Sequence, residues 1–213
     1  MLNTDPKLES YLLKYTGPEE VVLEELSRQT YLKTAYPNML SGHLQGKILE
    51  MISKMIQPRR VLEIGTFTGY SAMCIAKGLT DDGLLQSIDS NDELKEMALK
   101  YIKQSGLEQK IELITGDALK VLKKLVGPYD LIFIDADKKE YEQYYSFSVD
   151  LLRSGGFIIA DNVLWGGKVL EENKKKDKDT RGIQTFNETV LNDSRVEQVI
   201  LPVRDGLTLI RKK

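Results

Sequence analysis

Two short apolar runs in this chain open directly onto side chains that carry oxygen or amine groups. The run LIFI at 131–134 leads into Asp135, Asp137, Lys138 and Lys139, and the run FIIA at 157–160 leads into Asp161 and Asn162. Asp135, Asp161 and Asn162 together offer hard oxygen donors and no soft ligand. That set suits Mg²⁺, with Mn²⁺ or Ca²⁺ as competitors. Two carboxylates and an amide leave positions open for substrate oxygens or water. A structural reading competes with this one: Asp161-Asn162 as a turn, and Asp135 paired with Lys138 or Lys139.

A second group of residues points to a cofactor. In EIGTFTGYS, Glu63 to Ser71, the glycines Gly65 and Gly69 let the backbone turn tightly and approach a ligand. Amides at the following helix start favour a carboxylate, and Ser71 adds a hydroxyl. The spacing G-x-G-x-x-G is absent because Phe67 stands at its middle glycine, which disfavours a dinucleotide pyrophosphate. Asp89 ends the next apolar run, roughly two dozen residues beyond Gly65, where a carboxylate suits a bidentate grip on ribose hydroxyls. Gly116-Asp117-Ala118 ends a third run. There Asp117 can accept from an adenine amino group while backbone amides reach a ring nitrogen, or it can simply cap the next helix.

These residues need a scaffold that brings run ends together. From Arg60 the sequence alternates strand and helix: VLEIG, GYSAMCIAKGL, LLQSID, NDELKEMALKYIKQSG, IELITG, DALKVLKKLVG, DLIFID, EYEQYYSFSVDLLRSGG, FIIADN. Such alternation predicts a parallel sheet covered by helices on both faces, with ligands beyond the carboxyl ends of its strands. RVEQVILPV and DGLTLIRKK are joined too closely for a crossover, so they should pair antiparallel at one edge. Before Arg60, HLQGKILEMISKMI has one apolar face and stops at Pro58, and PEEVVLEELSRQTYLKTAY reads as a helix with Pro18 near its first position. EENKKKDKDT, 171–180, reads as a solvated charged loop that follows a candidate site, with a lid as the alternative.

The totals narrow the possibilities. A chain of 213 residues predicts one domain, 1–213, with an N-terminal helical cap over about 1–57. With 30 basic and 32 acidic residues there is no basic footprint for nucleic acid and no membrane-surface patch. A single cysteine, Cys74, and a single histidine, His43, exclude an internal disulfide and a Cys/His zinc cluster. MLNTDPKLES is not a signal peptide, and no run approaches a membrane span, so the expected compartment is the cytoplasm.

Taken in order, EIGTFTGYS, Asp89, GDA, FIDADK, DNVLWGG and RDGLTLIRK resemble the caffeoyl-CoA O-methyltransferase family, and more distantly catechol O-methyltransferase. The resemblance runs from about Tyr36 to the C-terminus. It implies a Rossmann-like class I methyltransferase with a seven-stranded, mostly parallel sheet and an antiparallel C-terminal hairpin. It also implies S-adenosylmethionine as methyl donor, a divalent cation, a small catechol-like or phenolic acceptor and a homodimer.

By position, the resemblance assigns Glu63, Gly65, Ser71, Asp89, Asp117 and Ala118 to the cofactor, with Asp135 and Asp137 close to it. Asp135, Asp161 and Asn162 become the metal ligands, Lys138 the base that takes the acceptor's proton, and Trp165 an exposed ring bordering the acceptor pocket. The alternatives are a methyltransferase for a hydroxamate, another secondary metabolite or a tRNA base, and a nucleotide-binding regulatory protein without turnover.

Overall fold

A parallel strand packed on both faces has no polar side to show, so it reads as an unbroken apolar run and becomes polar only at its ends. That is the pattern in the computed structural model, which describes residues 6–171 and 177–213. One compact unit extends to Ala118 and a second from Leu119 to Lys213.

The first unit contains α1 (Pro6–Tyr15), α2 (Val21–Lys33), α3 (Gly42–Ile56), β1 (Arg60–Ile64), α4 (Tyr70–Ala76), β2 (Leu84–Asp89), α5 (Lys95–Gln104) and β3 (Ile111–Thr115). β1 pairs parallel with β2, and β2 with β3. All seven residues of α4 are buried. α3 approaches α4 so closely that a Cβ on Gly46 would lie 2.6 Å from the Tyr70 ring and 2.8 Å from the Cys74 sulfur. Cys74 is core packing, as its place on the apolar side of that segment predicted, and burial pushes its thiol up to about 12.

α6 (Ala118–Leu122) spans the junction between the units. The second unit then holds β4 (Tyr129–Ile134), α7 (Tyr141–Leu151), β5 (Leu152–Asp161), α8 (Lys178–Asn192), β6 (Val196–Leu201) and β7 (Leu207–Lys212). β4 and β5 are parallel, while β7 runs antiparallel to both β5 and β6, so the expected C-terminal hairpin is present. The seven strands follow the order β3-β2-β1-β4-β5-β7-β6. No described helix is long and apolar enough to cross a membrane.

Three expectations need correction. α2 starts at Val21, three residues after Pro18, because Glu20 is extended (φ −73°, ψ 143°). Glu19 and Glu20 instead reach outward, Glu19 to the Tyr70 hydroxyl and Glu20 to Lys77 at 2.8 Å. The segment read as a charged loop, 171–180, contains the start of α8, where Asp177 caps the helix by accepting from the Thr180 amide at 2.7 Å. The remainder of that segment, and with it the lid alternative, falls mostly on 172–176, outside the described residues. α8 itself was overlooked, although Ile183, Phe186 and Val190 recur at helical spacing and are all buried.

At the far end of α7, Tyr145 donates to Asp193 Oδ2 at 2.9 Å, and Arg195 Nε and Nη2 grip the same carboxylate at 2.7–3.1 Å. Hydrogen bonding from Arg195 holds the Asp193 carboxyl well below the usual carboxylate range. The unfolded carboxyl titrates near pH 3.9, roughly. The stabilisation is therefore complete above that value and lost as pH falls through the depressed folded one. Asp193→Asn should cost about 1 kcal/mol at pH 7. The gap in urea midpoint between variant and parent should begin to narrow below about pH 4 and keep narrowing as pH falls; a gap that stays constant with falling pH would refute the charge origin.

Candidate active site

In the first unit the candidate residues gather at the carboxyl ends of β1 and β2. The register sets Glu63 beside Ser87 and Ile64 beside Ile88. Glu63 is fully buried, and its carboxylate accepts from Ser71 Oγ at 2.6 Å and from Ser87 Oγ. A buried carboxylate is tolerated only when hydrogen-bonded, and these hydroxyls meet part of that need. The Ser71 hydroxyl, expected to face a ligand, is thus turned to Glu63 beneath the turn.

The turn itself bends through positive φ at Gly65 (106°), Phe67 (50°) and Gly69 (86°). Phe67 takes a left-handed conformation that a non-glycine residue rarely adopts. Asp89 holds it there, since Oδ2 accepts the Thr66 amide at 3.0 Å and the Phe67 amide at 2.7 Å while Oδ1 accepts the Asn91 amide at 2.8 Å. α2 braces the far side through Thr30, whose hydroxyl lies 3.2 Å from that of Thr68. Neither Ser87 nor Thr30 was singled out in the sequence. Asp117 is exposed and Ala118 half-buried just beyond β3, where Gly116 donates to the Asp89 carbonyl at 2.8 Å.

In the second unit the register pairs Ile134 with Ala160. The next residue on each strand is Asp135 and Asp161, so the two carboxylates leave neighbouring strand ends, roughly 4.8 Å apart by backbone spacing. Asp161 is 3% exposed. Its Oδ1 accepts the Asn162 amide at 2.6 Å, and Asn162 turns the chain with φ 58°. Lys138, 9% exposed, gives one hydrogen to Asp135 Oδ1 at 2.8 Å and another to the Tyr141 hydroxyl at 2.7 Å. The structural reading is present, since Asp161-Asn162 turns the chain and Asp135 pairs with Lys138, and the three oxygen donors share one end of the sheet.

Among the described residues no cluster of three or more His, Cys, Asp and Glu side chains could hold a metal. With the Asn162 amide, the carboxylates of Asp135 and Asp161 make a donor set fitted to a hard cation.

Asp137 makes a local contact. It caps a 3₁₀ turn (Lys138–Glu140) by accepting from the Lys139 amide at 3.1 Å, and it is exposed. Trp165 is half-buried rather than exposed. It sits at φ 47° before two left-handed glycines, and its buried indole N–H meets no acceptor among the described residues. Buried Asp205 shapes this loop, its carboxylate accepting the Gly166 amide at 2.6 Å and its carbonyl the Leu164 amide at 2.9 Å. The sequence reading began the last strand at Asp205 and gave that residue no task; the strand begins at Leu207.

The O-methyltransferase sequence family matches residues 14–213. The chain belongs to the O-methyltransferase family. It is 36% identical over its whole length to caffeoyl-CoA O-methyltransferase 1 of Nicotiana tabacum, covering 93% of that protein. It is 35% identical to a probable caffeoyl-CoA O-methyltransferase 2 of Dictyostelium discoideum, over 95% of this chain and 90% of that one.

Among solved structures, the O-methyltransferase TomG of Streptomyces achromogenes, in complex with S-adenosylmethionine, superposes with a TM-score of 0.91 at 28% identity, each chain fully covered. A Bacillus cereus O-methyltransferase in complex with S-adenosylhomocysteine gives 0.89 at 29%, again over both whole chains. The expected Rossmann-like methyltransferase fold and the expectation of an S-adenosylmethionine-dependent O-methyltransferase are borne out at the level of the family.

Proposed function

We propose that the chain transfers a methyl group from S-adenosylmethionine to a hydroxyl of a small catechol-like or phenolic acceptor, assisted by a divalent cation. The observation that carries the reading is the β4–β5 register, which starts Asp135 and Asp161 from adjacent strand ends, with Lys138 hydrogen-bonded to Asp135. The names of the relatives support the caffeoyl-type acceptor, and the ligands of the solved relatives support the donor. Bound S-adenosylmethionine would supply an electrophilic methyl on a sulfonium, and a bound Mg²⁺, Mn²⁺ or Ca²⁺ would lower the pKa of a phenol and orient it.

The chain's own residues do the rest. Glu63, through Ser71 and Ser87, fixes the floor of the glycine turn, Gly65 leaves room for the donor, and Gly69, where a Cβ would lie 3.4 Å from that of Ala98, lets the turn pack against α5. The three amides bound to Asp89 use three of a carboxylate's roughly four acceptor sites. Asp89 thus accepts from one ribose hydroxyl rather than the two of a bidentate grip. Asp117 and the Ala118 amide take the adenine edge. Asp135, Asp161 and Asn162 would hold the cation, and Trp165 borders the acceptor.

Lys138 Nζ would take the acceptor's proton. Its hydrogen bond to Asp135 keeps Nζ beside the proposed donor set.

The test is incubation with S-adenosylmethionine, Mg²⁺ and a panel of catechols, each product weighed by mass spectrometry. Gain of one methyl per acceptor is expected; no gain on any catechol, with S-adenosylmethionine bound in calorimetry, would overturn the acceptor class. Asp89→Ala should weaken S-adenosylmethionine binding about ten- to a hundredfold, the worth of a charge-assisted hydrogen bond plus the loosened turn. An unchanged Kd would remove Asp89 from the cofactor site. The dimer belongs to the same proposal: α1 has no buried residue and exposes Leu8, Tyr11, Leu12, Leu13 and Tyr15, an apolar face suited to a second copy.

A further inference from the structure

Tyr141 opens α7 and is completely buried. Its hydroxyl sits where three parts of the site meet. It accepts from Lys138 Nζ at 2.7 Å, and it lies 3.0 Å from the Asp161 carbonyl and 3.3 Å from the Ile134 carbonyl, either of which can take its single hydrogen. Those carbonyls belong to the ends of β5 and β4. The ring is fixed separately, edge-on to Phe186 of α8 at 5.5 Å between centroids and tilted against Tyr144 at 6.4 Å.

The Lys138 backbone is confined as well. α8 passes so close that a Cβ on Gly182 would lie 2.2 Å from the Lys138 carbonyl oxygen and 2.9 Å from the Lys139 Cα. No side chain fits there without displacing the main chain that carries Lys138.

A lysine amine on a four-carbon stem has many rotamers, and one hydrogen bond leaves Nζ free to swing about its partner. A second acceptor at a fixed point removes that freedom. We propose that Tyr141 is a positioning residue for Lys138: its hydroxyl, anchored to a strand-end carbonyl, holds Nζ at the place where the acceptor's proton is taken, while Gly182 lets α8 press the backbone beneath it. The proposal rests on Lys138 as the base.

A double-mutant cycle tests it. Tyr141→Phe keeps the ring packing and deletes only the hydroxyl. In the parent background it should lower kcat about ten- to a hundredfold, the penalty of a reacting group misplaced by about 1 Å, with the Kd for S-adenosylmethionine unchanged. In the Lys138→Ala background the same change should alter kcat less than about twofold, because nothing is left to position. Gly182→Ala should repeat this pattern, slow in the parent and neutral beside Lys138→Ala.

Unchanged kcat in Tyr141→Phe, or an equal loss in both backgrounds, would overturn the positioning role. Full kcat in Lys138→Ala would instead overturn the base assignment itself, so the two failures are separable. Calorimetry with S-adenosylmethionine identifies a variant that is merely unfolded, and whichever of Tyr141→Phe and Gly182→Ala folds carries the decision.

Discussion

Lys138→Ala should lower kcat about a hundred- to ten-thousandfold, the usual worth of a positioned general base, and leave the Kd for S-adenosylmethionine within about twofold of the parent value. The separation follows from where Lys138 makes its contacts. Its amine touches Asp135 and Tyr141 in the second unit, whereas the glycine turn and Asp89 belong to the first. A purely structural lysine predicts something else. Removing a buried cation from its carboxylate partner costs stability, and that loss appears in the melting temperature whether or not turnover suffers.

Kinetics and melting must therefore be read together, and small primary amines added to Lys138→Ala give the sharper measurement. If Lys138 accepts the proton, an amine diffusing into the space it vacates should restore part of kcat in proportion to its concentration. A variant that melts lower, turns over normally and ignores added amine would leave Lys138 as a pairing residue only. Lys138→Arg should not rescue, since a guanidinium stays protonated and has no lone pair to offer.

How much of this was legible beforehand depended on the range of the interactions. β4 and the core of β5 were readable because Leu131 to Ile134 and Ile158 to Ala160 are buried without interruption, and burial on both faces leaves no polar position to confuse the pattern. The strand-end carboxylates were readable for the same reason, as the first residues allowed to be polar. The hairpin followed from the short link between β6 and β7.

What could not be read were contacts set by register and tertiary approach. Ser87 supports Glu63 only because β1 and β2 align those two residues. Tyr141 looks like any aromatic on an amphipathic helix until the 3₁₀ turn before it brings its hydroxyl back to Lys138. α2 begins later than Pro18 announces because Glu19 and Glu20 answer to Tyr70 and Lys77, partners distant in sequence. α8 was missed for a different reason: the lysine-rich stretch before it outweighed a legible apolar repeat at Ile183, Phe186 and Val190. Local charge masks periodicity in such a segment, yet periodicity is what a helix must satisfy to bury a face.

The second large effect is expected at Asp161, and there the choice of substitution decides what is learned. Asp161→Ala should abolish cation-stimulated turnover, by at least about a hundredfold, because it removes one of only two carboxylates in the proposed donor set. Alanine also deletes the acceptor for the Asn162 amide at 2.6 Å, and with it a support of the left-handed turn that carries Asn162. Loss of activity in that variant alone could therefore come from a relaxed turn.

Asp161→Asn separates the two causes. It keeps the size and one acceptor oxygen, so the turn should persist and the melting temperature should stay near that of the parent. The negative charge that attracts a divalent ion is gone. Mn²⁺ titrated by calorimetry, with no acceptor present, should then bind the asparagine variant at least about tenfold more weakly, while S-adenosylmethionine binds both variants as it binds the parent. Parent-like Mn²⁺ affinity in Asp161→Asn would mean that the charge at this strand end does not hold the ion. The same conclusion would follow if the parent kept full turnover after exhaustive chelation, and the pairing of Asp135 with Asp161 across β4 and β5 would then be a feature of the sheet and not of the chemistry.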